Sequence, residues 1–218
     1  MTTKKQTAVI LSGCGVYDGA EIHESVLTLL AIAKQGAEYS IFAPDVEQHH
    51  VINHLKGEPA EETRNVLVEA ARIARGAIQP LSAYKAENFD ALFLPGGFGA
   101  AKNLSSVAFD GPGCSVEAET ERAVKETHAA NKPIGALCIA PAVITKILGE
   151  VTVTIGQDEG TAQAIEAMGG NHLITDHGEV IIDEANKIAT TPCYMLDANI
   201  LQIAEGADNV VKAVLEMA

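Results

Sequence analysis

The feature that most constrains this chain is a regular alternation of strand-like and helix-like segments. "TAVILSG" (7–13) is an apolar run that ends in glycine, the pattern of a buried strand. "EIHESVLTLLAIAKQG" (21–36) places Ile22, Val26, Leu29, Leu30 and Ala33 at helical spacing, with Gly36 as its stop. "EYSIFAP" (38–44) is the next strand, and the polar, turn-rich residues 45–62 read as an insertion. A helix is predicted over 62–76, and 77–83 is a weak edge segment because Pro80 argues against a central strand. "DALFLPGG" (90–97) is a strong strand. A helix over 115–131 follows, with acidic residues in its first turns where the helix dipole favours them. Then come a strand at 133–138, a helix from Ala140 with Pro141 in its first turn, a strand at 150–156 and a helix at 161–170. Residues 178–192 read as two strands around the turn "DEAN", and the tail from Met195 as one or two helices broken near Gly206. Strands separated by helices require crossovers, so the expectation is a mostly parallel sheet with helices on both faces, one domain over residues 1–218.

In such a sheet ligands bind at the carboxyl ends of the strands. Three strand ends carry suggestive residues: "SGCGVYDG", "PGGFGAAKN" and Cys138 itself. Cys138 stands where a strand turns sharply into a helix, which lifts the thiol above the sheet and aims free N–H groups at it. The positive helix end favours thiolate, so the sequence predicts a lowered thiol pKa. A buried, inert cysteine is the competing reading. The glycine pair of "LPGGFG" lets backbone approach a ligand closely, and the amides of Gly97 and Ile139 together can bind an oxyanion.

Charge and cysteine usage exclude other classes. The net charge is −14, from 29 acidic against 15 basic residues, which repels nucleic acid and anionic membrane surfaces. No apolar run reaches the roughly 18 residues of a membrane span. "MTTKKQTAVILSG" lacks a signal-peptide core and cleavage site. Cys14, Cys114, Cys138 and Cys193 are widely spaced and read as free thiols, and together these features predict a cytoplasmic protein. His49, His50 and His54 have no evident third metal ligand and read as surface residues, as does His177 in "HGE".

"LPGGFGAAKNL" with "GALCIAPAVI" resembles the PfpI-like superfamily, which includes intracellular peptidases, a deglycase and class I glutamine amidotransferase domains. "ILSGCGVYDGAEIHES", "FAPD", "INHLKGE", "ETRNVLVEAARIARG", "PGGFGAAKNLS", "CIAPA" and "TTPCYML" resemble its ElbB-type subgroup over essentially the whole chain. Those proteins are described as amidotransferase-like, linked to isoprenoid biosynthesis and assigned glyoxalase activity. The resemblance implies a flavodoxin-like, three-layer α/β fold and a homodimer. It implies Cys138 as nucleophile and Glu24, twelve residues before Gly36, as its carboxyl partner, with Glu21 a neighbouring candidate. Gly97 and Ile139 match the oxyanion-hole positions. Many relatives carry a histidine where Ile139 stands, and others one in the place of "TIGQD", which weakens peptidase and glutaminase readings. The activity implied is a glyoxalase acting on a small dicarbonyl without metal or cofactor. The alternatives are a cysteine redox sensor that signals through a partner, and an amidotransferase subunit.

Overall fold

A computed structural model describes residues 4–218. The elements are β1 (Gln6–Ile10), α1 (Ile22–Lys34), β2 (Glu38–Ala43), β3 (Ile52–Asn53), β4 (Glu58–Pro59), α2 (Val66–Ile73), β5 (Ile78–Pro80) and β6 (Ala91–Leu94). They continue with α3 (Phe98–Lys102), α4 (Val107–Asp110), α5 (Ala118–Ala129), β7 (Ile134–Leu137), α6 (Ala140–Leu148) and β8 (Thr152–Val153). The chain closes with α7 (Glu159–Ala167), β9 (Asn171–His172), β10 (Ile181–Asp183), β11 (Ile188–Thr191) and α8 (Ile200–Met217). Seven strands form the main sheet in the order β10-β11-β7-β6-β1-β2-β5. Every pairing is parallel except that of β10 with β11.

The strand period of two builds the layers. Val9 and Leu11 point to the face covered by α1, α2 and α8, whereas Ala8 and Ile10 point to the face covered by α5 and α6. The result is the expected flavodoxin-like sandwich. Gly36, at φ +76°, follows the end of α1 and takes the left-handed conformation that closes a helix at low cost. β1 has β2 on one side and β6 on the other. The chain therefore reverses its direction of winding between β1 and β6, which opens a crevice at their carboxyl ends.

Several local expectations change. α8 runs unbroken through Gly206, because that glycine lies against β11: a Cβ there would sit 3.1 Å from Thr191 Oγ1. β8 pairs only with β9, outside the main sheet. The 45–62 segment forms the β3–β4 hairpin and is tied to the loop after β1, since Asp18 Oδ2 accepts from Ile52 N at 2.6 Å. Pro80 does mark an edge, for β5 is the outermost strand. The short helices α3 and α4 have no counterpart in the sequence reading. No helix among the described residues is long and apolar enough to cross a membrane.

Candidate active site

Cys138 ends β7 at φ +60°, a backbone region that costs a non-glycine residue on the order of 1–3 kcal/mol. Its N–H donates to Thr191 O at 3.0 Å, so pairing with β11 holds the turn in place. Ile139 caps α6, with Pro141 in the first turn where its missing N–H is harmless. The sharp turn expected from the sequence is thus present.

Glu24 reaches this point from α1. It is completely buried, and both carboxyl oxygens are held by backbone donors from other segments. Gly96 N donates to Oε2 at 2.9 Å and Tyr194 N to Oε1 at 3.2 Å. The carboxyl group also hydrogen-bonds to the Cys138 thiol. Glu21 plays a different part: its carboxylate accepts from Glu24 N at 2.7 Å and caps α1.

Two glycines make the contact between Cys138 and Glu24 possible. A Cβ on Gly96 would stand 2.4 Å from Cys138 Cβ and 2.9 Å from both Cys138 Sγ and Glu24 Oε2. Gly97, at φ +93°, presses against Gly19 and Glu21, where a Cβ would meet backbone atoms at 2.5 Å or less. Backbone N–H groups of Gly97 and Ile139 donate to the Cys138 sulfur. The structure therefore brings together all four residues singled out from sequence.

The electrostatics correct one expectation. The thiol is pushed up, not down: burial contributes most, then the adjacent Glu24 charge, and together they outweigh the Gly97 and Ile139 donors. Burial and the Glu21 charge push Glu24 up to about 7, against the donors Tyr194, Cys138 and Gly96. Two neighbouring acids that resist a joint double charge share one proton. A thiolate forms here when that proton sits on Glu24, because the repelling charge is then gone.

A cavity of about 340 Å³ opens on Cys138. Val16, Glu21, Phe98, Tyr194 and Met195 are among its walls, and no histidine is among the described residues that line it. At the mouth, Tyr194 Oη and His23 Nδ1 are hydrogen-bonded at 2.8 Å. Sequence reasoning found Gly96 as half of a glycine pair, without its contact to Glu24, and missed Tyr194. Gly96 acts by having no side chain, and Tyr194 reaches Glu24 through its backbone N–H, which no residue type advertises. The glycine pair was the signal for Gly96, and the segment "TTPCYML" the only one for Tyr194.

The remaining candidates lie elsewhere. The rings of His49 and His50 pack with Phe109, and His54 Nε2 accepts from Tyr17 N at 3.2 Å. Among the described residues no group of three or more His, Cys, Asp or Glu is arranged to hold a metal ion. His177 sits in a turn, beside Asp176. All four cysteines are free thiols.

The flavodoxin-like sheet with a cysteine at this turn is the architecture of amidotransferase-like α/β proteins, and solved and curated relatives place the chain in that class. A structure of an isoprenoid biosynthesis protein with an amidotransferase-like domain from Ehrlichia chaffeensis matches at TM-score 0.92 and 38% identity, over 98% of this chain and 99% of that one. Glyoxalase III from Candida albicans shares the fold at TM-score 0.62 and 14% identity, over 96% of this chain and 97% of that one. Among curated proteins, the mitochondrial glutamine amidotransferase-like class 1 domain-containing protein 3 of Homo sapiens is 50% identical over 222 residues, 97% of this chain and 83% of that protein. The mitochondrial ES1 protein homolog of Rattus norvegicus is 49% identical over 224 residues, 98% of this chain and 84% of that protein. The chain belongs to this ES1, or glutamine amidotransferase-like class 1, family. No family model matches the chain.

These names overturn the expectation of a cytoplasmic protein, since both curated relatives are named mitochondrial. The free thiols on which that expectation stood do not distinguish the cytoplasm from another reducing compartment.

Proposed function

We propose that this protein is a glyoxalase that converts glyoxal to glycolate, and methylglyoxal to lactate, without metal or glutathione. Cys138 is the nucleophile, Glu24 the proton carrier, and the N–H groups of Gly97 and Ile139 the oxyanion hole. The observation that carries the reading is the wholly buried Glu24 carboxyl, raised to about 7 and hydrogen-bonded to the thiol. A carboxyl with that value takes and returns protons near neutral pH.

The sequence of steps follows from those atoms. With the shared proton on Glu24, the thiolate attacks an aldehyde carbon and forms a C–S bond. The carbonyl oxygen takes the charge, is held by the two N–H groups, and receives the proton from Glu24, giving a hemithioacetal. Glu24 carboxylate then removes the hydrogen of the carbon that bears sulfur. That carbon lies one bond from the atom Glu24 already hydrogen-bonds. The resulting enediolate is reprotonated by Glu24 on the neighbouring carbon, and the hydroxyl proton of the sulfur-bearing carbon passes to the neighbouring oxygen, leaving a hydroxyacyl thioester. Water attacks the thioester, the C–S bond breaks, and thiolate and hydroxy acid are released with one proton. One carbon is oxidised and its neighbour reduced, so no external electron acceptor is needed.

Ile22, Val26 and Leu30 lie at i, i+4 and i+8 along α1 and are 43%, 47% and 47% exposed. This apolar stripe supports the homodimer that the resemblance implies.

Purified protein incubated with glyoxal should yield glycolate, measured by chromatography, at a rate unaffected by EDTA or glutathione. Protein inert towards every small dicarbonyl sinks the proposal and leaves oxidation of Cys138 as the chemistry to test.

A further inference from the structure

Phe98, Ile139, Asp158 and Thr161 belong to two cavities. One is the cavity around Cys138, and the other, of about 410 Å³, lies between the α3–α4 segment and α7. The second adds Ala101, Val107, Ala108 and Ala164 as walls. The residues on the boundary follow directly from those that serve the thiol. Ile139 comes after Cys138, and its own N–H donates to the sulfur. Phe98 comes after Gly97, the other donor, and Lys102 lies over its ring at 4.9 Å from the centroid. A ligand bonded to Cys138 therefore lies against the boundary that Phe98 and Ile139 form with the second cavity.

The chemistry of the second cavity is that of an apolar guest. Its walls are small: alanines of "FGAAK", "SVAFD" and "TAQAIEA" leave the space that larger side chains would fill. At the boundary the Asp158 carboxylate caps α7 by accepting from Thr161 N at 2.7 Å, and hydrogen bonds from the Thr161 hydroxyl and then its N–H hold it below the ordinary carboxylate range. A fixed anion there opposes a second carboxylate and leaves neutral groups unaffected. Glyoxal, with two carbons, uses none of this space.

We propose that the second cavity is a subsite for an uncharged, apolar substituent on the electrophile that Cys138 attacks. Combined with the dicarbonyl chemistry above, on which the nature of the reacting group rests, the substrate class is an oxoaldehyde bearing an alkyl or aryl group, of which phenylglyoxal is representative.

The test separates the subsite from the reaction. Iodoacetamide and N-benzyliodoacetamide present the same reacting carbon, so the ratio of their rates at Cys138, followed by peptide mass spectrometry, reads what the substituent touches. The benzyl reagent should react about tenfold faster. Ala164→Leu and, independently, Ala108→Leu should return the ratio towards one by filling the cavity. A ratio near one in the wild type, or a ratio unmoved by both variants, overturns the subsite whatever the protein does to dicarbonyls. With turnover, kcat/KM for phenylglyoxal should exceed that for methylglyoxal by about tenfold, mostly through KM, and Ala164→Leu should erase the preference. A high alkylation ratio with no oxoaldehyde converted keeps the subsite and removes the glyoxalase. Conversion of glyoxal with an alkylation ratio of one does the reverse.

Discussion

Cys138 and Cys193 lie at the carboxyl ends of adjacent parallel strands, β7 and β11, and are alike in backbone. Both are buried, and both are left-handed, at φ +60° and +43°. Their surroundings differ. Cys138 leads through its neighbour Ile139 into a nine-residue helix, whereas Cys193 begins a three-residue helical turn. The Cys138 sulfur receives N–H groups from Gly97 and Ile139. Around Cys193 burial and the charges of Glu24, Cys138 and Glu21 all push the thiol up, with no donor opposing them. Cys138 opens on the cavity, and Cys193 faces α8, where a Gly206 Cβ would lie 3.4 Å from its sulfur. Strain and a strand end are therefore insufficient. Donors aimed at the sulfur and a carboxyl that can take its proton make the difference.

The sharpest break between the two is removal of each thiol. Cys138→Ala should abolish glyoxal conversion, since no other group can form the covalent adduct. Cys193→Ala should keep the wild-type rate within about threefold and lose about 1 kcal/mol of stability to a small cavity. Loss of turnover in the Cys193 variant, with retention in the Cys138 variant, would reverse the assignment.

Glu24→Gln tests what only Cys138 possesses. Turnover should fall by about 10²–10⁴. Both carboxyl oxygens accept backbone N–H groups, so a glutamine must turn its NH₂ towards Gly96 N or Tyr194 N. Alkylation of Cys138 should survive, with its pH midpoint displaced downwards because the opposing charge is gone. A midpoint that moves upwards would show the carboxyl to be assisting the thiolate.

The same residue leaves a mark on stability. Glu24 titrates at about 7 in the folded chain against an ordinary 4.5, so between these values the native state holds a proton the unfolded chain has released. Its contribution is fully present below pH 4.5 and is lost as pH rises through 7, on the order of 3 kcal/mol in total. Urea unfolding across pH 4–8 should show this decline in the wild type and a flatter profile in Glu24→Gln. Parallel profiles would place the proton elsewhere.

The smallest effect belongs to the Cys193 side. Gly206→Ala gains about 1 kcal/mol of helix propensity but sets a methyl 3.1 Å from Thr191 Oγ1, so the net change in stability should stay within about 1 kcal/mol. A larger loss, measured by thermal unfolding, would mean that β11 cannot yield by the few tenths of an ångström required.

The layers of the fold were legible because apolar strand runs alternate with stretches of helical spacing, several of which end in glycine. Pro80 marked the edge correctly, since proline lacks the N–H a central strand requires. Gly206 misled for the opposite reason: glycine breaks isolated helices, but here it allows α8 to approach β11. The apolar run at 150–156 looked like a sheet strand, yet it pairs only with β9, because apolar residues signal burial without naming a partner. In the site, the helix end at Cys138 was readable and the depth of burial was not, so the direction of the thiol shift came out reversed. The distinction between Glu21 and Glu24 followed from the family resemblance. Only the three-dimensional arrangement explains it, with Glu21 capping the helix and Glu24 facing the sulfur.

The hydrogen bonds that hold Glu24 have a consequence for folding. Its two backbone donors lie 72 and 170 residues further along the chain. Contacts of such sequence separation form only after large loops have closed, so they belong to the late, slow part of the search. Until β11 has docked beside β7, the chain has a cysteine and a glutamate but no shared proton between them. A nascent or partly folded molecule therefore carries ordinary residues, and the reactive pair comes into being only with the completed topology.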